Sequence, residues 1–141
     1  MAKLNSFTDF EAFTASRSFV REVGLLVRSR TFSQNRILCN QMERAAISVL
    51  SNFAQGFERD GNAEFVQFLS ISKGSIGELR GQLIYSLDMG LIDEAMHSDL
   101  DSQASTATRM VGGLIRYLSG TELKGRKFGQ RAEKKLERRR D

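Results

Sequence analysis

At 141 residues, with 40% hydrophobic and 27% charged side chains, the chain suits one domain with a continuous core and lacks the bias of disordered, fibrous or membrane-embedded proteins. Its charge is unevenly placed: the net is +4 overall, but residues 121–141 hold nine basic and four acidic groups, a net of +5, while residues 1–120 hold 12 and 13, a net of −1. One cysteine, Cys39, cannot close an intrachain disulfide or build a thiolate metal site.

Proline and tryptophan are absent, so nothing interrupts long helices, and an all-α class is expected. Phe13, Ser16, Val20, Val23 and Val27, widened by Phe19 and Leu26, recur at helical spacing and predict a first helix over residues 11–28. Leu38, Met42, Ala45, Val49, Phe53 and Gly56 repeat the pattern and predict a second over 35–58, with Ser33 or Asn35 as N-cap. Asn62 is the expected cap of a third, whose seam of Phe65, Phe68, Ser72, Ser75, Leu79, Leu83 and Ser86 ends near Gly90. Asp93 is the expected cap of the fourth, with Leu100, Ala104, Ala107, Val111, Leu114 and Leu118 in register and Gly120 as its end. Short connections predict an antiparallel up-down-up-down four-helix bundle over 1–120 with a basic C-terminal tail over 121–141. The first ten residues carry no apolar run of signal length, and no segment reaches about 18 uncharged apolar residues. A cytoplasmic protein without a membrane role is expected.

The stretch from Leu38 to Ile92 carries a resemblance. The run Gln41-Met42-Glu43-Arg44-Ala45-Ala46-Ile47-Ser48, then Ser51-Asn52-Phe53-Ala54-Gln55-Gly56-Phe57-Glu58-Arg59, is followed by Glu64-Phe65, by Phe68-Leu69-Ser70-Ile71-Ser72-Lys73-Gly74-Ser75, and by Glu78-Leu79 and Gln82-Leu83. It resembles the four-helix-bundle family encoded in intervening sequences of bacterial large-subunit ribosomal RNA genes. The match is close over the second and third helices and rests on pattern alone over the first and fourth. Gln55 stands where the family usually has a glutamate, and Leu50 where a proline is common. The resemblance implies a bundle without known catalysis that often assembles as a ring-like homopentamer. In architecture and charge the chain is also similar, more distantly, to the Avd accessory proteins of diversity-generating retroelements, which implies nucleic acid and a reverse transcriptase as partners.

Arg44 and Glu78 lie in facing family motifs and are expected to form a partly buried ion pair that fixes register, in preference to an anion site at Arg44. Ser48, Ser51 and Asn52 have no histidine or lysine at fixed spacing to activate a serine, so helix-helix hydrogen bonding is expected of them. His97 beside Asp93 and Glu94 is a weak metal signal, and a solvated surface is the expectation. Gly74, Gly77 and Gly81 lie inside a helical repeat with no preceding strand, so close packing against another helix or subunit is expected rather than a phosphate loop. No catalytic set or cofactor site emerges, and the chain is read as a non-enzyme.

The tail residues Lys124, Arg126, Lys127, Arg131, Lys134, Lys135, Arg138, Arg139 and Arg140 are the expected nucleic-acid contacts, because clustered cations displace counterions from phosphates without reading bases. The bland reading, a solvated helix or disordered end, stands level with it on the residues alone. The family resemblance favours an RNA- or DNA-binding accessory protein. The alternative is a protein-interaction adaptor or structural bundle with no direct nucleic-acid role.

Overall fold

A computed structural model of the protein describes the backbone of residues 4–137 and the side chains of residues 4–120. A short 3-10 helix, Phe7–Asp9, precedes four α-helices: α1 (Glu11–Val27), α2 (Arg36–Glu58), α3 (Asn62–Asp88) and α4 (Glu94–Glu137). Helix α1 packs on α2, α2 on α3, α3 on α4, and α4 back on α1. The ring is closed, and each helix has two neighbours. This is an all-α four-helix bundle, with no strand among the described residues.

The core follows the apolar stripes. Phe19, Val23, Met42, Val49, Phe53, Leu69, Ile76, Leu79, Leu83, Ala104, Ala107 and Val111 are wholly buried. On α3 the stripe is wider than the predicted seam, since Leu69 and Ile76 are buried beside it while Phe68 is only half-buried. A helix flanked by α2 and α4 must cover two contact lines, and a narrow coiled-coil seam covers one.

Small residues carry the closest approaches. A Cβ placed on Gly56 would lie 2.6 Å from Cβ of Phe68 and 2.9 Å from Cδ2 of Phe65, so α2 and α3 converge where only hydrogen fits. Ser72 Oγ donates across the same interface to the carbonyl of Val49 at 2.8 Å, and the hydroxyls of Ser48 and Ser75 meet at 2.8 Å. Asn52 Nδ2 donates to Ser48 Oγ at 2.9 Å, extending that link, whereas Ser51 bonds back to Ile47 of its own helix.

Helix ends follow local chemistry. At Gly90, with φ +72°, α3 closes in a Schellman turn: Leu91 N–H reaches the carbonyl of Ser86 at 2.9 Å and Gly90 N–H that of Leu87 at 3.0 Å. Asp93 caps α4 through Oδ1, which accepts from Met96 N–H at 2.8 Å. Two expectations need correction. Asn62 is the first residue of α3 and not its cap; that place belongs to Gly61, whose φ of +91° suits a glycine. Gly120 does not end α4, which continues to Glu137. Gly120 is not among the glycines with positive φ, and Glu122, Leu123 and Lys124 beyond it are good helix formers.

The end of the bundle where α1 starts is built from phenylalanine. Phe7, Phe10, Phe13, Phe53, Phe57 and Phe65 pack edge to face with ring centres 5.0–6.4 Å apart. Ser6 and Asp9 form a capping box that turns Phe7 onto this cluster. Its sequence signal, a serine three residues before an acid, was present but sat ahead of the first periodic stripe.

Candidate nucleic-acid interface

The tail cations divide by position. Lys124, Arg126, Lys127, Arg131, Lys134 and Lys135 fall on the helical backbone of α4, with side chains outside the described residues, and Arg138, Arg139 and Arg140 lie outside them altogether. Where α4 leaves the bundle is set by register. Arg80 of α3 faces Asp101, and Lys73 lies close to Gly112, so α3 begins opposite the stretch of α4 near Gly120. The 44 residues of α4 therefore outrun the 27 of α3 at the phenylalanine end.

Arg44 and Glu78 do not form the expected buried pair. Both are exposed, and they come no closer than the 4.0 Å limit of an ion pair while lining one shallow groove between α2 and α3. The interface beneath them is closed by Ala45, Ser48 and Ser75, which are too small to shield a charge pair from water. Exposed charges gain little by meeting there. Glu78 instead accepts from Gln82 Nε2 at 3.4 Å.

Among the described residues, the ion pair that joins α3 to α4 is Arg80–Asp101. The Arg80 guanidinium grips the carboxylate through Nε to Oδ1 at 2.9 Å and Nη2 to Oδ2 at 3.2 Å. The hydrogen bond from Arg80 holds Asp101 below the usual carboxylate range, and the pair raises Arg80 in return. Arg80 and Asp101 are 21 positions apart on different helices, so no local pattern announces them. The other ion pair among the described residues, Arg28–Glu43, spans 3.7 Å on the surface, between the end of α1 and α2.

His97 is half-buried rather than solvated, and its Nε2 is buried without a hydrogen-bond partner among the described residues. No group of three or more His, Cys, Asp or Glu able to hold a metal ion occurs among the described residues. Cys39 donates weakly to the carbonyls of Phe32 and Val27, and desolvation, reinforced by Glu43, pushes its thiol pKa up.

Besides the shallow groove at Arg44 and Glu78, two larger grooves flank α3. The α2/α3 groove, about 860 Å³, is lined by Ile37, Leu38, Gln41, Gly81, Gln82 and Tyr85 among others. Ile37 is 79% exposed and Tyr85 53%, an apolar face with no partner in the described chain. The α3/α4 groove, about 520 Å³, is lined by Ser70, Lys73, Gly74, Gly77, Arg80, Thr108 and Ile115. Gly74, Gly77 and Gly81 have open space where a Cβ would stand, so of the close packing expected against another helix or subunit, none of them makes the helix contact within this chain. That role falls to Gly56.

A ring-closed all-α bundle of this kind, with no helix among the described residues long and apolar enough to cross a membrane, defines the class. Residues 8–113, well over half of the chain, match the 23S rRNA-intervening sequence protein family, and the chain belongs to that family. A comparison with curated proteins gives no match.

Proposed function

We propose that the protein is a non-enzymatic nucleic-acid-binding accessory protein that acts as a homo-oligomer, with a pentamer favoured, and presents its cationic arms to RNA or DNA. One observation carries this reading: a member of a family tied to ribosomal RNA intervening sequences concentrates a net of +5 in residues 121–141, which begin on the last part of its longest helix. Such an arm binds phosphates with little sequence preference and strong salt dependence. Several arms on one assembly add avidity without new contacts. A reverse transcriptase is the protein partner this reading favours.

The test is removal of residues 121–141, which leaves the described core intact because Leu118 is the last of its buried apolar residues. Full-length protein should bind a short RNA duplex with log affinity falling against log salt at a slope of about −4 to −5 per chain, and the truncated chain should lose most of that slope. Equal binding by both forms would refute the role of the arm. The adaptor reading draws support from the exposed apolar α2/α3 groove, and binding of a polymerase by the truncated chain, without nucleic acid, would favour it.

A further inference from the structure

We propose that the groove between α3 and α4 is a phosphate-recognition site on the body of the bundle, with Lys73 of its lining and Arg116, which converges on Lys73 from α4, as its charged contacts. The two side chains come from different helices and converge. Lys73 Nζ lies 3.8 Å, and Arg116 Nη1 3.5 Å, from the point a Cβ on Gly112 would occupy, while Arg116 Nη2 lies 3.8 Å from the same position on Gly113. Among the described residues neither cation has a carboxylate within ion-pair distance, whereas the neighbouring Arg80 is held by Asp101. Two like charges gathered around one point repel unless an anion shares the space. No acidic residue lines the groove to supply one.

The remaining lining suits a phosphate. Gly74 and Gly77 have open space where a Cβ would stand, so an anion can approach the backbone of α3, while on α4 the tips of Lys73 and Arg116 lie over Gly112 and Gly113. Ser70 and Thr108 also line the groove; the Ser70 hydroxyl donates to the carbonyl of Val66 at 2.9 Å, and Thr108 Oγ1 is buried with no hydrogen-bond partner among the described residues. An orphaned buried hydroxyl is costly and calls for an acceptor or donor. Position adds to the case. The backbone of Lys124, the first tail cation, follows that of Arg116 by eight residues on one continuous helix, about 12 Å along its axis, a span that one nucleic-acid strand can cover. The identity of the ligand as a polynucleotide rests on the function proposed above; the phosphate chemistry rests on the groove alone.

The experiment compares four full-length proteins: the natural chain, Lys73→Gln with Arg116→Gln, Gly77→Glu, and Arg17→Gln with Arg21→Gln as a control of equal charge on exposed α1. Circular dichroism confirms folding, since Lys73, Arg116 and Gly77 are exposed and a Cβ on Gly77 meets nothing. Binding to a labelled RNA duplex is followed by anisotropy across a salt series, and binding of pyrophosphate by thermal shift. The groove double variant should reduce the salt slope by about two, one for each lost phosphate contact, and the α1 control should not. Gly77→Glu, which places a carboxylate beside the cations, should abolish the pyrophosphate shift. If RNA binding changes and pyrophosphate is inert, the site takes polynucleotide phosphates; if pyrophosphate stabilises only proteins with an intact groove while RNA is not bound at all, the site stands with a free phosphate as ligand, and the nucleic-acid reading fails separately. Groove variants that match the α1 control with RNA and the natural chain with pyrophosphate would overturn the proposal.

Discussion

Phe53 contacts Phe10, Phe13 and Phe65 at ring separations of 5.2–5.8 Å and is wholly buried. Its truncation removes both transfer free energy and the edge-to-face partners of three rings. Phe53→Ala should therefore destabilise the bundle by about 3–5 kcal/mol in urea unfolding. Asp101 offers a pH-dependent counterpart. Because Arg80 lowers its pKa in the folded state, the pair stabilises the fold above the unfolded value of about 3.9, and that contribution disappears as pH falls through the folded pKa. About a third of each side chain is exposed, so solvent screening limits the effect to about 1 kcal/mol or less. Asp101→Asn should lower the melting temperature slightly at pH 7, and the gap from the natural protein should close in strong acid. A gap that widened on acidification would contradict this sign. Arg44, by contrast, is exposed and unpaired with Glu78, and Arg44→Ala should change stability by no more than about 0.5 kcal/mol.

At the level of elements, two helical glycines separate backbone preference from packing. Alanine at Gly24 meets nothing and should stabilise α1 by about 0.5–1 kcal/mol, while alanine at Gly56 drives a methyl into Phe68 and Phe65 and should cost about 1–3 kcal/mol despite the same gain in helix propensity. Paired thermal melts would show opposite signs. The starts and ends of α1, α2 and α3 were legible within a residue or two because apolar period, polar breaks and Gly90 agree there. Gly120 misled because a glycine stops a helix only when the chain turns left-handed at that point, and composition does not reveal φ. The site was less legible than the fold. The cationic arm is visible as a charge run, but Arg80–Asp101 and the meeting of Lys73 with Arg116 depend on how α3 and α4 are registered, and neither helix's own stripe encodes that offset. Arg44 and Glu78 failed for a related reason: facing motifs place residues on adjacent helices without saying whether their tips point inward.

For the molecule as a whole, half of the large exposed apolar side chains among the described residues sit on α2 and α3, where Ile37, Ile47, Ile71, Ile84 and Tyr85 are each at least half exposed, and Met89 follows directly after α3. The proposed assembly would cover part of this surface. Replacing Ile37 and Ile84 by glutamate should leave the helical content unchanged and shrink the particle in sedimentation, whereas an unaltered particle would place subunit contacts elsewhere. An even number of antiparallel helices also has a practical outcome. The chain enters at the phenylalanine end beside Phe7, and α4 departs from that same pole, while the connections at 28–35 and 89–93 lie at the other. A reporter attached at the phenylalanine pole would crowd the start of the charged arm, so a fluorophore intended to watch binding without obstructing it belongs at the opposite pole, on the exposed Arg30 of the 28–35 connection.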